Sequence, residues 1–197
     1  MNGIESIMKS AEKLFSKKSF TAVSMGEIAL EAGISKANIY HHFDSKEDLY
    51  QKILLRCQNN SFSDVLEAEK HPGTYIDKIK FFMHTRMEDM LSNPQPYTLL
   101  LREISDLSGS RGNSYDQNLL SGAIDRVVKL IEQAQSHGEI STNVDPLIIA
   151  FQLMAPNFMY ILFEQILSER IGHIDPKQTK QFCELLANNL LNGIAQS

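Results

Sequence analysis

The sequence is short of cysteine, of excess basic charge and of strand-like alternation, and each shortage removes a class of protein. Cys57 and Cys183 stand far apart, with no CxxC pattern and no histidine beside them. That spacing excludes a zinc-finger ligand set and a secreted disulfide framework, and it fits a reducing cytoplasm. Lys and Arg number 19 against 24 Asp and Glu, a net charge of -5 over 197 residues. On average, then, the chain argues against binding nucleic acid, because phosphate neutralisation draws on a basic surface. Met1-Asn2-Gly3-Ile4-Glu5 lacks the charged start and apolar stretch of a signal peptide, so no export leader is expected. Leu147 to Phe163 is the run that raises a membrane reading. It contains Gln152, Pro156 and Asn157 and falls short of the ~20 residues a span requires, so a buried helix is expected and no membrane partner.

Apolar residues recur at spacings of three and four in nearly every segment, which predicts an all-α protein. Ile4, Ile7, Met8, Ala11, Leu14 and Phe15 form one stripe of a first helix over residues 4 to 17. Ser24-Met25-Gly26-Glu27 has the form of a capping box and opens a second helix that stops at Gly33. A third helix runs from Ser35 to about His42. A fourth starts at Ser45-Lys46-Glu47-Asp48, a looser cap, and continues to Asn59 or beyond. Turn signals at Pro72-Gly73, Asn93-Pro94-Gln95-Pro96, Ser108 to Ser114, His137-Gly138, Asp145-Pro146 and Asp175-Pro176 leave helices at about 74–92, 96–107, 115–137, 146–169 and 176–194. About nine helices result, with Ser108 to Ser114 expected to be the most flexible stretch.

Residues 24–43, SMGEIALEAGISKANIYHHF, carry the functional signal. Ala29 is small enough for a second helix to approach, and Gly33 takes a left-handed turn without penalty. Ile28, Ile34 and Ile39 are spaced to lock the two helices together. This is a helix-turn-helix, whose second helix enters the major groove of DNA. That helix turns Ser35, Lys36, Ala37, Asn38, Tyr40, His41 and His42 outward. Asn bonds the edge of adenine, Lys bonds guanine or phosphate, and Ala37 offers a methyl contact to thymine. Tyr40 has a competing role as packing against Phe43 and the first helix, and Lys46 as an ordinary solvated lysine. The pair His41-His42 suggests a metal site, but adjacent residues on a helix point about 100° apart and no carboxylate-rich partner lies a turn away, so no metal is assigned.

The same residues resemble the tetracycline-repressor-like (TetR) family of transcriptional regulators. The resemblance covers about the first 55 positions: Leu14-Phe15, Phe20 to Met25, Ile28-Ala29, Ala32-Gly33-Ile34-Ser35, Ile39 to Phe43 and Ser45 to Leu49. It implies that Ser35 to His41 lie in the groove, with Ser24, Tyr40 and Lys46 on phosphates. The family pattern often has a smaller residue where Ala37-Asn38 stands. The resemblance further implies a DNA-binding domain over residues 1–56 and a ligand-binding and dimerisation domain over 57–197. The whole would be a repressor that binds a palindromic operator as a homodimer and is released by a small-molecule effector, its two reading heads then wrongly spaced.

The rest of the chain fits that division on physical grounds. The helix from Pro146 to Glu169 is apolar nearly all round, so one face cannot use all of it. Phe151, Leu162 and Ile166 there, with Phe182, Leu186 and Leu190 on the last helix, are expected to form a two-fold interface; plain core is the competing role. Met83, His84, Met87, Tyr97, Arg102, Phe158 and Met159 are the candidate ligand-binding residues. Their chemistry suits an apolar or aromatic effector, although Met and Phe at helical spacing also suit plain core. No HExxH, Ser-His-Asp grouping, Gly-rich phosphate loop or paired metal carboxylates occur, so no catalytic residue, cofactor or enzymatic activity is assigned. A helical enzyme or a protein-interaction module, with the head as a structural accessory, remain the alternatives.

Splitting the charge revises the first impression. Residues 1–56 hold eight Lys and Arg against seven Asp and Glu, or +1, which leaves 11 against 17, or -6, for the rest. The acidity belongs to the body, and a nearly neutral head must gain DNA affinity from the placement of a few groups.

Overall fold

The computed structural model describes residues 3–106, 117–171 and 176–194. The described residues are helical with no strand, in the order α1 (Gly3–Lys17), a 3-10 turn (Phe20–Ala22), α2 (Met25–Ala32), α3 (Lys36–His42), α4 (Lys46–Lys70), α5 (Tyr75–Ser92), α6 (Pro94–Asp106), α7 (Gln117–Ser136), α8 (Pro146–Ile171) and α9 (Pro176–Ile194). The all-α expectation holds, and most helix ends fall within two or three residues of the expected ones. The stretch Ser108 to Ser114 lies outside the described residues.

Two boundaries differ for local reasons. α4 continues to Lys70 because Val65 and Ala68 extend its buried stripe beyond Ile53 and Leu54. α6 begins at Pro94, two residues early. Proline suits the first helical position, where its missing N–H is not needed and its φ is already helical. The 3-10 turn between α1 and α2 has no apolar period to announce it.

The chain divides into two compact units. The head unit holds the described residues of Met1–Cys57 and of Gln95–Ser114; the body unit holds those of Gln58–Pro94 and Tyr115–Ser197. That α6 groups with the head is not visible from the order of the chain.

In the head, Ile7, Ala11 and Phe15 repeat every four residues along α1 and are buried, with Ile28, Ile39, Leu49 and Ile53 from the next three helices. Phe15, Phe20 and Tyr50 pack ring to ring at centroid separations of 4.8–5.8 Å. Arg56 on α4 ties down α1, donating to Glu5 at 2.9 Å and to Glu12 at 2.6 Å.

In the body, α5 packs against α9, α7 and α8, and α8 also meets α7 and α9. The core draws Met83 and Met87 from α5, Leu130 and Ile131 from α7, Ile149, Leu153 and Tyr160 from α8, and Cys183 and Ala187 from α9. Two capping devices fix the start of α5. Thr74 and Asp77 form a capping box, and the Glu139 carboxylate accepts the N–H groups of Tyr75 and Ile76 at 3.0 and 2.9 Å. Burial pushes the Cys57 and Cys183 thiols up to about 12, which leaves both without thiolate character at neutral pH. One stretch among the described residues, Pro146–Phe163 on α8, is long and apolar enough by composition to cross a membrane. Its inner face, Ile149, Ala150, Leu153 and Tyr160, is core of the body unit.

Candidate nucleic-acid interface

The interface is built on the turn between α2 and α3. Ser24 caps α2: its Oγ accepts the Glu27 N–H at 3.2 Å, while its own N–H donates to Glu27 Oε2 at 2.8 Å. The expected capping box is present. Lys18 Nζ donates to the other carboxylate oxygen of Glu27 at 2.8 Å. The Lys18 ammonium first, and the Ser24 bonds next, hold the Glu27 carboxyl down to about 2, so the cap keeps its charge at any working pH.

Gly33 ends α2 with φ of 68°. Its N–H bonds to Leu30 O at 3.2 Å and the Ile34 N–H to Ala29 O at 3.0 Å, the paired closing bonds of a Schellman turn. A Cβ on Gly33 would meet nothing within 4 Å, so a substitution there costs backbone strain alone. Gly33→Ala is therefore expected to lower head stability by about 1 kcal/mol and Gly33→Val by about 2, with Gly33→Asn the mildest. Denaturant unfolding of the three variants checks the ranking, and a loss from Asn equal to that from Val would contradict it.

The turn delivers Ser35 as the cap of α3, its Oγ accepting the Asn38 N–H at 3.2 Å. α3 has seven residues, of which Ile39 is the buried one. Ile39 and Ile28 seal the two helices together, as their spacing implied; Ile34 is half-buried. Pinning α3 by Ile39 leaves Lys36, Ala37, Asn38, Tyr40 and His41 exposed. Tyr40 is 48% exposed, so solvent rather than core takes its hydroxyl side, and Lys36 Nζ lies 5.8 Å from its ring centroid. The His41 and His42 rings meet edge to face at 5.3 Å.

Lys46 is placed differently from its neighbours in this set. Its Nζ donates to the carbonyl oxygens of Phe20 at 2.9 Å and Val23 at 2.8 Å, and it sits 4.3 Å from the Phe20 ring centroid. Two of its three N–H bonds close the turn that leads to Ser24, so it organises the interface from behind. Several other cations of the head are matched by carboxylates: Lys13 by Glu31, Lys18 by Glu27, Lys52 by Asp48 and Arg56 by Glu5 and Glu12. Lys36 instead faces solvent on the reading surface.

Residues 7–53 match the family described as bacterial regulatory proteins, tetR family. Over these residues the chain is similar to the tetR family. Among curated tetR-like relatives, the biofilm operon icaADBC HTH-type negative transcriptional regulator IcaR of Staphylococcus epidermidis is 32% identical over 79 residues, 40% of this chain and 42% of the relative. IcaR of Staphylococcus aureus is 28% identical over 119 residues, 54% of this chain and 63% of the relative. The chain thus spans about half the length of the curated relatives it matches. Among solved structures, the fatty acid degradation regulator FadR from Bacillus halodurans shares the fold, with a TM-score of 0.80 over 100% of this chain and 98% of that one at 12% identity.

The residues expected to bind an effector do not fall in one unit. Met83, His84, Met87, Phe158 and Met159 belong to the body; Tyr97 and Arg102 belong to the head. Met83 and Met87 are buried in the body core, whereas Met159 is exposed. His84 Nε2 lies 3.4 Å from Glu88. Tyr97 is buried, and Arg102 donates to the carbonyls of Phe15 and Lys18. Of the expected dimer residues, Phe151, Leu162 and Ile166 stand exposed on α8 at 72%, 59% and 53%. Phe182, Leu186 and Leu190 on α9 are partly covered by the body's own core, and the exposed leucine of that helix is Leu185. The apolar stripe of α9 contains both Leu185 and Leu186, and the fold turns Leu185 outward. Sequence reading did not single out Lys18 and gave Arg102 to the effector; the contacts of both, to a carboxylate and to backbone carbonyls, are brought near only by folding.

Proposed function

We propose that this protein is a ligand-responsive transcriptional repressor that binds a palindromic operator as a homodimer. The observation that carries this is the exposed row Lys36, Ala37, Asn38, Tyr40 and His41 on a short helix anchored by Ile39 alone, in a head of the tetR family. α3 enters the major groove, where Asn38 and Lys36 read base edges and Ala37 lies against a thymine methyl. Ser35, Ser24 and Tyr40 hold phosphates, and Lys46 keeps one N–H beyond its two carbonyl bonds for the same backbone. Repression is supported by the negative regulators among the relatives.

Dimerisation uses the outer face of α8, which doubles the reading heads and sets them on two half-sites. The effector is apolar or aromatic and binds the body. Methionines at Met83 and Met87 repack easily around such a ligand, with Phe158 from α8, whereas the exposed Met159 falls on the outer face. Asn157, buried on the inner face of α8 with its Oδ1 unpartnered, supplies a polar anchor for a hydrogen-bond donor on the effector. An effector that binds one conformer more tightly shifts the heads away from the operator spacing.

Fluorescence anisotropy with the DNA upstream of the protein's own gene tests the reading. The wild-type chain is expected to bind at low salt. Tyr40→Ala weakens all sequences alike, whereas Asn38→Ala relaxes preference at one base position by about 1–3 kcal/mol. Absence of binding to any fragment at low salt would refute the repressor reading.

A further inference from the structure

Residues 18–23 connect α1 to α2 and deliver Ser24 to the start of α2. Two cations from distant parts of the chain hold the backbone on both sides of this connection. Arg102 Nη1, from α6, donates to Phe15 O at 3.1 Å and Lys18 O at 3.2 Å. Lys46 Nζ, from the first turn of α4, donates to Phe20 O and Val23 O. The carbonyls taken by Arg102 are those that the end of α1 leaves without helical partners, at the negative end of its dipole. A guanidinium there makes charge-assisted bonds, stronger than neutral ones.

We propose that Arg102 is a positioning residue for DNA recognition: by holding the end of α1 it lets α6 fix where Ser24 and the start of α2 stand beside α3. The role rests on the DNA-binding reading of the head. Connectivity gives it a regulatory sense. α5 belongs to the body, and α6 belongs to the head and follows α5 after the single residue Asn93. The chain therefore re-enters the head through α6, and a displacement of α6 is passed to the α1–α2 connection through Arg102. Arg102 is exposed, so removing it leaves the α1 carbonyls to water instead of burying them unpaired. The head then stays folded while the connection loses its restraint.

The test uses the full chain and a duplex that the wild-type protein retains from a random-sequence pool. Arg102→Ala is expected to weaken binding about threefold to thirtyfold, with an unchanged slope of affinity against salt, because no phosphate contact is lost. Amide hydrogen exchange from Ser19 to Ser24 is expected to quicken in the free protein, and Arg102→Lys is expected to recover part of both effects. Wild-type affinity in Arg102→Ala overturns the proposal, as does unaltered exchange. A salt slope reduced by about one unit also overturns it, since that marks a direct phosphate contact. If the wild-type chain retains no duplex, the DNA-binding reading falls and this role with it; the exchange measurement still reports separately whether the clasp exists.

Discussion

Leu162→Glu is expected to convert a dimer into a monomer at micromolar concentration and to weaken operator binding about a hundredfold or more, because the two half-sites are then no longer bound by linked heads. Phe151, Leu162 and Ile166 follow one another on α8 at intervals of 11 and four residues, close to whole numbers of helical turns. They lie on one side, opposite Ile149, Leu153 and Tyr160 of the core. Ile148 and Met159 are exposed as well, and a monomer seldom presents a contiguous apolar surface of that kind to water. A glutamate at the centre places a charge where the partner's apolar side chains pack, and its desolvation opposes association. Light scattering on wild type and variant checks this. A monomeric wild type, or a variant that remains dimeric, contradicts the α8 interface. Substitutions at Phe182 or Leu190 serve as a contrast: both residues pack on the body's own core, so their loss lowers stability as well as association.

The second large effect is on the head. Phe15→Ala is expected to destabilise it by about 3–5 kcal/mol, the usual cost of emptying a buried aromatic site. Phe15 is 1% exposed and contacts the rings of both Phe20 and Tyr50, so one truncation removes the centre of a three-ring cluster. Because α1 and α4 lose their common contact, α3 loses the platform that presents its reading surface, and DNA binding fails with it. The body has a separate core, so its unfolding is expected to stay near the wild-type temperature and the melt to split into two steps. A single cooperative transition with both units shifted together would show that they do not unfold independently. Intact DNA binding in the variant would show that Phe15 does not support α3.

The helices were legible because their buried residues recur locally. Ile7, Ala11 and Phe15 mark α1 without reference to anything outside it, and Ser24, Glu27 and Gly33 mark both ends of α2 by bonds that span three to five residues. The reading surface was legible for the same reason: once Ile39 is assigned inward, helical geometry turns Lys36, Asn38 and Tyr40 outward. Where the information is not local, the sequence is silent. For Lys46, assigned to phosphate, folding also brings within 3 Å two carbonyls more than twenty residues away, which the order of the chain does not show. Phe182, Leu186 and Leu190 were assigned to an interface on apolarity alone. Apolarity says that a side chain must be covered but not whether its own unit or a second copy covers it.

By itself, then, the sequence determined an all-helical chain, the helix-turn-helix and the identity of its outward residues, since period, caps and a left-handed glycine are properties of neighbouring residues. It also located the acidity in the body, because charge adds up without regard to folding. Only the tertiary structure decided that α6 joins the head, that Arg102 and Lys46 secure the α1–α2 connection, and which face of α8 is left uncovered. Those facts depend on bonds between residues up to 87 positions apart and on which surfaces the core consumes, and neither has a signature in the linear order of side chains.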